Sequence, residues 1–165
     1  YASILRVTVD AIQRARHRIY LTTPYFAPDA TSAQALTSAS LRGVDVRILL
    51  PKRTDNYVVT KAAQSWFDDL VAAGIRVFEY GPRMLHTKSM IVDDDISFIG
   101  SANFDNRSFY LNFEVSVLCY EREANQALLE EFNASMKYAQ EVQLTHQPFF
   151  SRLSKAVARL FSPLL

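Results

Sequence analysis

His86, Lys88 and Asp93 stand in an H-x-K-x4-D arrangement, and six residues separate Asp93 from the run Gly100-Ser101-Ala102-Asn103. An imidazole offers a lone pair near neutral pH, and an ammonium two residues away carries a compact positive charge. Together they suit attack on a phosphate: one group brings the lone pair, the other stabilises the oxyanions. Gly100, Ser101 and Ala102 are small enough for a phosphate to come close to the backbone, and Asn103 adds an amide donor. Asn112 and Glu114 fall on one face of a strand at i, i+2, where the carboxylate of Glu114 could hold a ring nitrogen of His86. Such a partner fixes the tautomer and stabilises the imidazolium. The expected site is His86, Lys88, Asp93 and Glu114 for catalysis, with Ser101 and Asn103 on the phosphate, and the chemistry is that of phosphodiesters.

Alternation along a strand sends His86 and Lys88 to one face. Asp93 has the opposite parity and sits at a turn, so it either braces the hairpin or reaches a neighbouring copy. The triple Asp93-Asp94-Asp95 suggests a magnesium site. Three adjacent side chains on extended backbone diverge from a single ion, so no metal and no cofactor is expected. His17, among Arg14, Arg16 and Arg18, and His146 near the C-terminus read as surface histidines.

The elements that must hold these residues follow from the apolar pattern. Met84 to Val92 and Ile96 to Ser101 read as two strands around the Asp93–Asp95 turn. Before them, Ser3 to Arg16 is helical, Ile19 to Thr23 a buried strand, and Tyr25 to Asp29 a loop. Ala33 to Arg42 is a helix closed at Gly43, and Val44 to Leu50 a strand stopped by Pro51. Val58 to Ala73 carries paired apolar residues at helical spacing up to Gly74, and Ile75 to Tyr80 is the next strand. Phe113 to Tyr120 reads as a further strand and Ala124 to Tyr138 as a helix. This order predicts an α/β layered domain, a mixed β-sheet flanked by helices on both faces. The first crossovers should be right-handed and parallel, and the tightly connected later strands antiparallel.

The 165 residues fit one domain spanning 1–165, with a net charge of +1 that gives no global attraction to nucleic acid. Cys119 is the sole cysteine, which points to a reducing compartment and, in its strand, to a buried thiol. No apolar run approaches the ~18 residues of a membrane span. The chain opens at Tyr1 like a piece of something longer. Its tail, residues 147–165, sets Phe149, Phe150, Leu153, Val157, Leu160 and Phe161 beside Arg152, Lys155 and Arg159. That composition suits either an interfacial helix on anionic lipid or a helix docked on the domain.

The His86/Lys88/Asp93 pattern with Gly100, Ser101 and Asn103 resembles the signature of the phospholipase D superfamily. Three longer phrases narrow the resemblance to the C-terminal half of its bacterial cardiolipin synthase branch: T-T-P-Y-F-A-P-D from Thr22, R-G-V-D-V-R-I-L-L-P from Arg42, and G-S-A-N-F-D-N-R-S-F-Y-L-N-F-E-V from Gly100. The resemblance implies a two-step phosphatidyl transfer from phosphatidylglycerol through a phosphohistidine, at the cytoplasmic side of a bacterial inner membrane. Two such motifs share that active site, so the second must come from the same full-length chain or a dimer mate. It leaves open whether His86 is the nucleophile or the acid/base. Lys88 and Asn103 would hold the equatorial oxygens in place of a metal ion, and Tyr25, Phe26, Phe104, Phe109 and Tyr110 could line an acyl-chain channel. The alternatives are a homodimeric phosphodiesterase or nuclease of the same superfamily and a module that only binds anionic headgroups. Anionic phospholipids and a membrane surface are the expected partners, rather than nucleic acid.

Overall fold

In the computed structural model, which describes residues 2–83 and 85–143, the chain folds around a seven-stranded mixed sheet in the order β8-β6-β5-β1-β3-β4-β9. The centre comes first in the chain. Helix α1 (Ser3–Arg14) leads into β1 (Arg18–Thr22), α2 (Ala30–Leu41) into β3 (Asp45–Pro51), and α3 (Tyr57–Gln64) with α4 (Phe67–Ala72) into β4 (Arg76–Tyr80). β1, β3 and β4 run parallel, as their helical crossovers require. The strands β5 (Ser89–Val92), β6 (Ile96–Gly100) and β8 (Ser116–Cys119) are antiparallel to their neighbours. After α5 (Arg122–Met136), β9 (Ala139–Glu141) closes the far edge antiparallel to β4.

Strand alternation divides the core in two. Ile19, Leu21, Val46, Ile48, Val77, Met90 and Val92 face α1, α2 and α4 in the larger cluster. Tyr20, Leu49, Phe78 and Ile91 point the other way, onto Phe132 of α5, where the Tyr20 and Phe132 rings stack at 4.8 Å. The expected helices on both faces are present. Gly43 and Gly74 close their helices at φ of 92° and 86°.

Several boundaries differ from the expectation, each for a local reason. The helix expected over 58–73 is two helices, because Ser65 Oγ donates to the Ala62 carbonyl at 2.6 Å and draws the backbone out of its ladder. α2 begins earlier than expected, at Ala30, since the Asp29 carboxylate accepts the Ser32 N–H at 2.8 Å as an N-cap. The Tyr25–Asp29 loop contains a two-residue strand, β2 (Phe26–Ala27), paired in parallel with β7 (Phe104–Asp105). β5 starts only at Ser89, leaving residues 85–88 irregular, and β8 starts at Ser116. Between β7 and β8 lies a single π-helical turn, Arg107–Leu111, in which the Asn112 N–H reaches the Arg107 carbonyl at 2.8 Å. Cys119 is partly exposed, because β8 is an edge strand. Phe26, Phe104 and Phe109 do not line a channel: they pack within the core, Phe26 stacked on Phe104 at 5.6 Å and Phe109 edge-on to Phe104 at 5.3 Å. Among the described residues, no helix is long and apolar enough to cross a membrane. His146 and the amphipathic reading of residues 147–165 lie outside the described residues.

Candidate functional site

The site forms on the sheet rim where β1 ends and β5 begins, for Thr22 is the register partner of Ser89. Lys88 immediately precedes β5, and its carbonyl accepts the Gly100 N–H at 3.2 Å, which ties the irregular approach to the end of β6. Irregular backbone nevertheless brings the two motif residues together. The Lys88 ammonium donates to the His86 carbonyl at 2.8 Å and lies 3.1 Å from Nδ1 and 3.4 Å from Nε2 of the ring. His86 is exposed and Lys88 half-buried, so the ring faces solvent while the ammonium is held beneath it. Burial presses the Lys88 ammonium below its ordinary pKa, against the opposing pull of the Glu114 and Asp105 carboxylates.

Asp93 is not part of this cluster. It sits at the other end of β5, at φ 53° in the turn, and its carboxylate accepts the backbone N–H groups of Arg16 at 2.9 Å, His17 at 2.8 Å and Arg18 at 2.9 Å. Burial raises its pKa, but those three N–H donors and the charge of His17 outweigh it and hold the carboxyl below the usual range. The three N–H bonds tie the hairpin turn to the start of β1, at the opposite end of β5 from His86 and Lys88.

Glu114 also departs from its expected part. Its carboxylate accepts from the hydroxyl of Ser101, from Asn112 Nδ2 at 3.1 Å and from Ser108 Oγ at 3.3 Å, and not from the ring of His86. Partial burial raises its pKa, yet these donors and the charge of Lys88 leave the carboxyl below its ordinary value. Glu114 therefore fixes Ser101, whose Oγ in turn accepts the Val115 N–H at 3.0 Å. Close packing of the strands also requires Gly100 to be small. A Cβ there would lie 2.2 Å from the Val115 carbonyl oxygen and 2.8 Å from Ser116 Cα, in the space between β6 and β8.

Asn103 lines a small cavity of about 40 Å³ together with Lys88, on the rim above Thr23. Its amide nitrogen donates to Asp105, and its Oδ1 is buried without a hydrogen-bond partner. Asp105 is only 3% exposed; burial raises its carboxyl pKa against the Ser108 N–H at 2.7 Å, the Ser108 hydroxyl and Asn103. Sequence reasoning missed Asp105, Ser108 and Thr23. Thr23 Oγ1 accepts the Phe104 N–H at 3.1 Å and donates to the Tyr25 carbonyl at 2.9 Å, so it joins the T-T-P-Y-F-A-P-D segment to the segment after Gly100. A second link runs from Tyr110 Oη to Asp29 Oδ2 at 2.7 Å. The signal available was the length of those two phrases, which exceeds what strand formation alone requires.

Chemically, the rim offers an exposed imidazole and an ammonium in contact with it, beside a shelf whose Ser101 hydroxyl and Asn103 amide are already committed to Glu114 and Asp105. The imidazole and the ammonium suit a tetrahedral anion and the exchange of a proton or a bond with it.

Comparisons with known proteins agree with that geometry. The family described as "Cardiolipin synthase, PLD-like domain" matches residues 8–136. Cardiolipin synthase A of Pseudomonas syringae pv. syringae (strain B728a) is 47% identical over 160 residues, covering 95% of this chain and 33% of that protein. The cardiolipin synthase of Geobacillus thermodenitrificans (strain NG80-2) is 41% identical over 157 residues, covering 93% and 31% respectively. The chain thus spans about a third of the length of the curated relatives it matches. In fold, it is similar to the phospholipase D family member Nuc from Salmonella typhimurium, with TM-score 0.76, 23% identity, and 87% of this chain and 93% of that chain covered. Phosphatidylserine synthase of Haemophilus influenzae Rd KW20 superposes with TM-score 0.70 at 15% identity, covering 98% of this chain and 42% of that one.

Proposed function

We propose, from the premise that this chain belongs to the cardiolipin synthase PLD-like domain family, that it supplies one half of a phosphatidyltransferase active site. The observation that carries the reading is the contact between the Lys88 ammonium and the ring of an exposed His86. In this mechanism one imidazole attacks the phosphorus of phosphatidylglycerol, the P–O bond to glycerol breaks, and a facing imidazole protonates the departing alkoxide. An acceptor hydroxyl then attacks the phosphohistidine. Its proton passes to the facing ring, the P–N bond breaks, and with a second phosphatidylglycerol as acceptor the product is cardiolipin. Lys88 holds the oxygens on which charge gathers, with Asn103 on the same small cavity. Two imidazoles that must hold one proton between them titrate as a pair, so activity follows a bell in pH.

The facing imidazole belongs to a second motif, in the remainder of a longer chain or in a second copy. Surface composition supports such a partner. Among the described residues β8 is an edge strand; Val117 on it and Phe113 and Val115 just before it are exposed, with Ile99 beside Val117 in the register. An unpaired, apolar strand edge next to a catalytic rim is a surface that another domain would cover. Because the substrate is a lipid, the assembled enzyme works at a membrane surface, in this reading the cytoplasmic face of a bacterial inner membrane.

The test is substitution of His86 by Gln in the full-length protein, with conversion of phosphatidylglycerol followed by lipid chromatography. A loss on the order of 10³-fold or more is expected for removal of one member of the imidazole pair. Retention of turnover within about tenfold would overturn the assignment of His86.

A further inference from the structure

Behind the phosphate shelf, between β2, the start of α3 and the π-turn, lies a second cavity of about 290 Å³. Asn103 lines both this chamber and the small cavity at Lys88, so the two adjoin through one side chain. The mechanism above uses none of its other walls. Tyr25, Asp55, Asp105, Arg107 and Asn112 give it a polar lining. Tyr25 Oη donates to Asp55 Oδ1 at 2.7 Å, and that bond, with burial and the nearby acids, pushes the phenol up to about 12, so it remains a neutral hydroxyl throughout the working range. The buried Oδ1 of Asn103 is an acceptor without a partner.

These walls select among ligands. A lipid tail would strand the polar groups, at a cost for each one left unpaired. A second phosphate would meet two carboxyl groups, Asp55 and Asp105, against the single guanidinium of Arg107. A neutral polyol meets neither obstacle, because each hydroxyl both donates and accepts. Asp55 can accept from it, and Arg107 can donate to it. The volume lies at the lower end of ligand clefts, which suits a headgroup rather than a whole lipid.

We propose that this chamber is the alcohol subsite of the reaction, holding the glycerol headgroup with one hydroxyl presented to the phosphorus. This rests on the phosphatidyltransferase reading. Since the nitrogen nucleophile occupies one side of the phosphorus, the departing glycerol and the entering acceptor share the opposite side, and one chamber serves both. In the second step the acceptor oxygen forms its bond to phosphorus, the P–N bond breaks, and the hydroxyl proton moves to the facing imidazole. Occupancy by a polyol also displaces water from that side, so the chamber sets the partition between transfer and hydrolysis.

The experiment uses the full-length protein with phosphatidylglycerol in mixed micelles and quantifies cardiolipin and phosphatidic acid together. Both arise from one intermediate, so their ratio does not depend on how fast that intermediate forms. Asp55→Asn and, separately, Tyr25→Phe are expected to lower the cardiolipin to phosphatidic acid ratio about tenfold, the equivalent of ~1.4 kcal/mol. Asp55 is exposed, and Tyr25→Phe removes only a hydroxyl, so a folded variant is available for the measurement. An unchanged ratio in either folded variant, with or without a fall in total turnover, would overturn the chamber assignment alone. Failure of the unsubstituted protein to consume phosphatidylglycerol would overturn the functional reading on which it rests.

Discussion

The two ends of β5 carry the two halves of one sequence motif and use them oppositely. At the Val92 end, Asp93 is saturated: three backbone N–H groups point at its carboxylate, and a fourth link runs from Arg18 Nε to its carbonyl at 3.2 Å. At the Ser89 end, the His86 ring meets the Lys88 ammonium alone among the described residues, and faces solvent. A saturated group stabilises, and a group with capacity to spare reacts. Four residues of strand transmit the rigidity of the first end to the second.

Breaking the reactive end should give the larger effect. Lys88→Ala in the full-length protein is expected to lower turnover of phosphatidylglycerol about 10²–10³-fold with little change in melting temperature, since it removes the charge that meets the oxyanions. Lys88→Arg should recover only a minor part, because a planar fork does not fit the space of a point charge under the ring. Equal activity of wild type and Lys88→Ala would show that the ammonium is ornamental.

The braced end should respond in stability instead. Asp93→Gly keeps the positive φ but deletes the carboxylate, and is expected to cost about 2–3 kcal/mol in denaturant unfolding. The sign of its pH dependence follows from the depressed carboxyl of the folded state. Its contribution is present above the ordinary carboxylate pKa of about 4 and is lost as pH falls through the lower folded value. Wild type should therefore lose stability on acidification below about pH 4 more steeply than Asp93→Gly, and parallel curves would contradict the bracing role.

The smallest effect sharpens the link between the two rim loops. Tyr110→Phe removes the exposed hydrogen bond to Asp29, and should cost about 1 kcal/mol or less while leaving the α2 N-cap bond to Ser32 in place. A loss as large as that of Asp93→Gly would mean that Tyr110 and Asp29 form part of the frame rather than its margin.

The parts of this fold that obey a period were legible in advance. Ile19-Tyr20-Leu21 and Ile48-Leu49-Leu50 are continuous apolar runs of the kind that a sheet covered on both faces requires, and the short hairpin at Asp93 forces its strands antiparallel. What escaped the sequence lacks a period. The π-turn at Arg107–Leu111 looks like ordinary helix or loop, and β2 and β7 are two residues each, too short for alternation to register. Those irregular pieces decide the partners of Glu114, and so its expected bond to His86 gave way to Ser101, Ser108 and Asn112. The pairing of His86 with Lys88 was expected from strand geometry, yet it comes from an irregular stretch and the reach of a lysine side chain. The acidic residue buried closest to the shelf, Asp105, belonged to a phrase noticed for its length but carried no role of its own.

The buried hydroxyl of Thr23 has a wider consequence. By accepting from Phe104 and donating to Tyr25 it welds two stretches separated by 81 positions into a single unit, backed by three packed phenyl rings. Neither loop can wander without the other, and neither can leave without opening the hydrophobic interior. The half of the proposed anion site that this chain supplies is thus already in place before any substrate arrives, and binding energy need not be consumed in shaping it.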